Sequence, residues 1–160
     1  MGKSILIDGY NLLHQMPEIR SEMDQNPDGA RSRFLHRLSA YAQTVHASLT
    51  VVFDGAQSPH AKFPRIKISF SKNETADAVI KRMVDKPHRV QKPLVISSDL
   101  EIVNFARQCG AKTLSSQEFV KEITAFKPKK MKYEKKYEAP MSSKEVKEWM
   151  DLFQRKADDE

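Results

Sequence analysis

Ile5-Leu6-Ile7-Asp8-Gly9-Tyr10-Asn11 is the stretch that decides the fold class. Three consecutive apolar residues run straight into Asp-Gly. A short apolar run of this kind reads as a strand buried on both faces, the usual condition of a strand inside a parallel sheet. Leu49-Thr50-Val51-Val52-Phe53 repeats the pattern and is again followed by Asp-Gly, and Pro93-Leu94-Val95-Ile96 is a third such run. Ile66-Lys67-Ile68-Ser69-Phe70 alternates instead, as a half-exposed or edge strand does. Ala111-Lys112-Thr113-Leu114 is a short further strand.

Helical spacing fills the intervals. From Arg31 to His46, apolar residues at Phe34, Leu35, Leu38, Tyr41, Ala42 and Val45 recur at three- and four-residue steps, with Asp28 near the start. Ser71 with Glu74, Ser98 with Glu101, and Ser115 with Glu118 have capping-box spacing. They predict helices through Ala76 to Met83, up to Gly110, and to about Phe126. Strands alternating with helices imply a parallel sheet with helices on both faces. After Phe126 the pattern stops. Residues 127–141 read as a lysine-rich arm or linker. Ser142 and Glu145 then open a final helix, with Val146, Trp149, Met150 and Phe153 on one side and Trp149 as its docking residue. The organisation is thus a domain over 1–126, an arm over 127–141 and a C-terminal helix over 142–160, with no internal repeat.

A chain of 160 residues suits one domain with a short appendage. The lone Cys109 excludes an internal disulfide and reads as a small buried hydrophobe. Together with seven methionines it points to a reducing, cytoplasmic setting. No apolar run approaches the roughly 18 residues of a membrane span, and Lys3 is followed by too few apolar residues for a signal peptide. The five histidines show no zinc spacing with the cysteine. The formal charge of +6 is local: residues 127–136 hold six lysines and one acid, a balance of +5.

The acids are placed more tellingly. Asp8, Asp54 and Asp99 each fall just past a strand, and Asp77 falls in the first turn of the helix after Phe70. In a parallel sheet all strand C-termini open onto one edge, where ligands bind at the point of strand-order reversal. Carboxylates gathered there repel one another, and a divalent cation relieves that repulsion. Mg²⁺ or Mn²⁺ prefers carboxylate oxygen and water, and suits displacement at phosphorus. Each acid also has an ordinary role: Asp54-Gly55 is a common turn dipeptide, and Asp77 and Asp99 suit helix starts. Asp8 stands apart because an apolar strand leads directly into it and Gly9 leaves room beside the backbone.

Leu6-Ile7-Asp8-Gly9-Tyr10-Asn11-Leu12-Leu13 resembles the opening signature of the NYN nucleases, in particular their YacP-like branch, within the PIN-like group of metal-dependent ribonucleases. Val51-Val52-Phe53-Asp54-Gly55, Glu74-Thr75-Ala76-Asp77 and Val95-Ile96-Ser97-Ser98-Asp99 resemble the later motifs, in the same order, over about residues 3–126. The resemblance implies a three-layer α/β/α sandwich around a mainly parallel sheet. It also implies a Mg²⁺ or Mn²⁺ site at Asp8, Asp77 and Asp99. Asn11 would be a polar site residue, or else a helix N-cap. Asp54 and Glu74 would stand at the rim. Ser98 and Arg31 would contact phosphate, although a helix cap and a solvated charge are their plainer roles. The chain departs from the pattern in the short Ala56 to Arg65 connection and in its lysine-rich arm.

In that arm, Lys129, Lys130 and Lys132 alternate with Tyr133. Lysines bind phosphates with counterion release, and tyrosines stack on unpaired bases. A flexible solvated linker is the plainer alternative. The expected activity is endonucleolytic hydrolysis of RNA, in processing or in ribosome-associated decay. Its main rival is a non-catalytic RNA- or ribosome-binding module on the same fold. A DNA-directed nuclease and a protein-binding role for the Trp149 helix are further rivals.

Overall fold

A computed structural model of the chain describes residues 2–58, 60–86, 91–125, 147, 150 and 151. The chain divides into two compact units, Met1–Pro128 and Lys129–Glu160. In the second unit Lys147, Met150 and Asp151 are helical. The arm residues Lys129, Lys130, Lys132 and Tyr133, and Trp149 of the expected final helix, lie outside the described residues.

The described residues of the first unit form one five-stranded, all-parallel sheet and six helices. The strands are β1 (Ser4–Asp8), β2 (Ser48–Phe53), β3 (Ile66–Phe70), β4 (Leu94–Ile96) and β5 (Thr113–Leu114), in the spatial order β3-β2-β1-β4-β5. The helices are α1 (Gly9–Leu13), α2 (Pro17–Met23), α3 (Pro27–Val45), α4 (Ala76–Val84), α5 (Leu100–Gln108) and α6 (Ser116–Ala125). Consecutive strands move outward from β1 to β2 and β3, then cross to β4 and β5. The order therefore reverses beside β1, and the crevice past its C-terminal end is the expected ligand position.

Helices cover both faces. Ile5, Ile7, Leu49, Val51, Phe53 and Ile96 pack with side chains of α1, α2, α3 and α6. Leu6, Val52 and Val95 face the other way, onto Ala76, Val79 and Ile80 of α4 and Ile102 and Ala106 of α5. The three-layer α/β/α architecture follows. The alternating Ile66–Phe70 segment is an edge strand, paired with β2.

Several local expectations are corrected. α3 begins at Pro27, not Arg31, because the Asn26 Oδ1 accepts from the Gly29 amide and Pro27 fits the first helical position. The α4 cap is Thr75, whose hydroxyl accepts from the Ala78 amide, and the α5 cap is Asp99, which accepts from the Glu101 amide. Ser71 and Ser98 are therefore free for other partners. The Ser115–Glu118 box does form, at 3.1 and 3.4 Å. Gly110, at φ 86°, closes α5 in the left-handed conformation that glycine tolerates. α1 and α2 are additions to the expected elements, and β2 passes to β3 with no helix among the described residues of 54–65.

Candidate active site

Asp8 is the last residue of β1, in register beside β4. Ile7 pairs with Ile96, so Asp8 and Ser97 stand one step further on adjacent strands. Their side chains therefore leave the sheet on the same face. The Ser97 hydroxyl donates to Asp8 Oδ2 at 3.2 Å and accepts from the Asp99 amide at 3.1 Å. The same arrangement recurs one strand pair away. Phe53 pairs with Phe70, and one step further the Ser71 hydroxyl donates to Asp54 Oδ1 at 3.1 Å. Ser71 also accepts from the Gly55 amide, and Asp54 Oδ1 accepts from the Ala76 amide. Asp54 thus ties the end of β2 to the start of α4.

Burial pushes the Asp8 carboxyl up to about 6. The Ser97 hydrogen bond works against that rise, whereas the charges of Asp99, Asp77 and Asp54 add to it. The fold thus brings all four expected aspartates into one electrostatic neighbourhood, though not to equal depth. Asp8 and Asp77 are partly buried, whereas Asp54 and Asp99 are exposed. Asp77 Oδ1 is buried and has no hydrogen-bond partner among the described residues. Its other oxygen, Oδ2, lies 3.1 Å from the Lys81 ammonium, which also reaches Glu101 Oε1 at 2.8 Å. Among the described residues, no three His, Cys, Asp or Glu side chains are gathered at ligand spacing.

Gly9 has a different role from the one expected. A Cβ there would meet Phe53 Cδ1 at 2.7 Å and the Val52 carbonyl oxygen at 2.8 Å. Glycine lets α1 begin directly against the end of β2. Asn11 is not the cap of α1. Its Oδ1 accepts from the Ser98 amide at 3.0 Å and from the Ser116 hydroxyl at 2.6 Å. It joins the loops after β4 and β5 to the Asp8 segment. Ser98 completes that connection, accepting from the Ser116 amide and donating to Gln117.

Arg31 lies inward, with 15% of its side chain exposed. Its guanidinium donates to Ser58 Oγ at 3.1 Å and to the Tyr10 hydroxyl at 3.5 Å, and it pairs with Asp28. Glu74 accepts two bonds from Arg82, which hold its carboxyl below the usual range. The sequence gives no site role to Ser97, Ser116 or Lys81, and offers Ser71 only as a helix cap. Ser97 and Ser71 were detectable in principle, since each Asp–Ser pair sits one step past an apolar strand pair. Lys81 carried only its four-residue distance from Asp77.

A model of the YacP-like NYN domain matches residues 5–157. The chain belongs to the YacP-like NYN domain family. This YacP-like chain is also similar to two crystal structures of YacP from Bacillus subtilis. One, carrying a tryptophan-to-leucine substitution, aligns at 26% identity over 77% of this chain and 76% of that one, with a TM-score of 0.64. The other aligns at 25% identity over 78% and 75%, with a TM-score of 0.61. None of the curated proteins matches the chain. The family match runs past Phe126, where the sequence resemblance stopped, so the lysine-rich segment falls within the family's extent. The fold is therefore nuclease-like. Among the described residues no helix is long and apolar enough to cross a membrane.

Proposed function

We propose that this YacP-like domain is a metal-dependent endoribonuclease acting at the edge around Asp8. One observation carries the reading. Asp8 is partly buried at the switch point of a parallel sheet, with three further carboxylates close enough to help raise its pKa to about 6. Asp77 Oδ1, which has no hydrogen-bond partner among the described residues, fits the same reading, because a buried carboxylate oxygen calls for a donor or a cation. Asp8 and Asp77 would hold Mg²⁺ or Mn²⁺, with Asp99 beside them, and all are hard oxygen donors. The bound cation would supply Lewis acidity for attack of water on phosphorus.

The chain's own residues do the rest. Ser97 orients Asp8 and favours its ionised form. Asn11 and Ser98 fix the loop that carries Asp99. Asp54 anchors the α4 start that presents Asp77, with Glu74 and Arg82 paired outside it. Lys129, Lys130 and Lys132 would help hold the RNA by its phosphates and Tyr133 by base stacking, because acids without a bound cation repel an anionic substrate. Substrate RNA on the ribosome belongs to the same chemical class as free RNA.

The Lys81–Asp77 ion pair favours a second reading, an RNA-binding module that keeps the fold without catalysis. Cleavage of structured and single-stranded RNA with Mn²⁺, in wild type and Asp8→Asn, separates the two. The nuclease reading expects cleavage that is lost in the variant. Equal cleavage by both proteins sinks the assigned site, and RNA binding without any cleavage supports the module.

A further inference from the structure

Lys81 lies one turn beyond Asp77 on α4, yet it does not extend into solvent as a surface lysine does. Its ammonium is 3.1 Å from Asp77 Oδ2, 2.8 Å from Glu101 Oε1 on α5, and 5.7 Å from the centre of the Phe105 ring. Only 24% of its side chain is exposed. Acids from two helices and one aromatic face thus hold a single cation beside the edge. Asp77 is divided by this contact: Oδ2 is neutralised by Lys81, while Oδ1 is buried without a partner among the described residues.

We propose that Lys81 is a tethered counter-cation of the acidic edge. It offsets part of the carboxylate repulsion in the metal-free protein and weakens binding of a divalent cation to Asp77. An anionic phosphate near Lys81 relieves that antagonism, so the divalent cation and RNA bind with mutual support. The inference rests on the metal-site reading given above.

The sign follows from charge alone. Lys81 attracts Asp77 but repels any cation that Asp77 binds. At a separation of about 6 Å, and even with full water screening, a single charge against a double charge changes affinity about tenfold. The pair is about a quarter exposed, so added salt screens it in part. A lysine that only orders Asp77 for its metal has the opposite effect, because its removal loosens a ligand and weakens metal binding.

The test is a titration of metal-free protein with Mn²⁺ alone, followed by the electron paramagnetic resonance signal of the free ion. Wild type is compared with Lys81→Met, Lys81→Gln and Lys81→Arg, each checked for folding by thermal denaturation in EDTA. Lys81→Gln keeps hydrogen bonding without the charge, and so gives the answer if Lys81→Met does not fold. The expected result is about tenfold tighter Mn²⁺ binding in the uncharged variants, an unchanged affinity in Lys81→Arg, and a gap that narrows as salt rises. If wild type binds no Mn²⁺, the metal reading of the site falls and this inference falls with it. If wild type binds Mn²⁺ and the uncharged variants bind it equally or more weakly, the counter-cation role alone is overturned.

Discussion

Replacing Asp8 by asparagine keeps the shape of the side chain and its ability to accept from Ser97, and removes its charge. The folded protein holds a proton on Asp8 more tightly than the unfolded chain does, since burial raises the pKa from 3.8 to about 6. Wild-type stability therefore falls as pH rises through that window, and the loss is complete above it. At about 1.36 kcal/mol for each pH unit of that window, the rise amounts to about 3 kcal/mol of destabilisation at pH 7. Asp8→Asn removes it. In EDTA at pH 7 the variant is expected to be more stable by about 3 kcal/mol, or to melt about 6–12 °C higher. Near pH 3.5, where wild-type Asp8 is mostly protonated in both states, the two proteins converge. Denaturant titrations at both pH values read this directly. A variant no more stable than wild type at pH 7, or a gap of equal size at both pH values, refutes the claim that Asp8 is a destabilising buried acid. Adding Mn²⁺ then stabilises wild type and leaves the variant unmoved, because only a species that binds the folded state shifts the transition.

Three further outcomes follow from the same geometry. Ser97→Ala removes the hydrogen bond that lowers the Asp8 pKa and the acceptor for the Asp99 amide. Carboxyl titration by NMR in metal-free protein should show Asp8 displaced further upward, with a stability loss of about 1–3 kcal/mol. Gly9→Ala places a methyl 2.7 Å from Phe53 Cδ1, and urea denaturation should show a loss of about 1–3 kcal/mol from overpacking. Replacing Lys129, Lys130 and Lys132 together by glutamine should weaken binding to single-stranded RNA. It should also flatten the dependence of log affinity on log salt by about 2, at about 0.7 for each phosphate that a lysine no longer neutralises.

Much of this architecture was legible because strands buried on both faces leave little ambiguity. Ile5 to Ile7 and Leu49 to Phe53 have no polar face to present, so a parallel sheet covered by helices was the consistent solution. The alternation at Ile66 to Phe70 marked the edge. The approach of the four aspartates was legible for the same reason, since Asp8, Asp54 and Asp99 stand at or past strand ends, Asp77 opens the helix after β3, and such positions share one edge in any such sheet. What remained hidden depends on neighbours distant in sequence. Ser71 and Ser98 matched a local capping pattern, but a four-residue pattern does not register that Asp54 at the end of β2 and Ser116 and Gln117 at the start of α6 lie within reach of their hydroxyls. Thr75 and Asp99, close by in the chain, had equally good capping chemistry and took those positions. α1 and α2 were obscured by Gly9 and Pro17, which resemble breaks although one packs against Phe53 and the other starts a helix. Arg31 looked like a free charge because nothing local announced Tyr10 and Ser58 as its partners. Lys81 required knowledge that α4 and α5 lie side by side.

Whether the acidic edge around Asp8 holds a divalent cation for cleavage of RNA is tested most directly by anomalous diffraction from crystals of the wild-type protein soaked in Mn²⁺. A peak is expected within bonding distance of Asp8 and Asp77, absent from Asp8→Asn crystals treated in the same way. A wild-type protein that cleaves RNA with Mn²⁺ but shows no peak beside Asp8 would contradict that role.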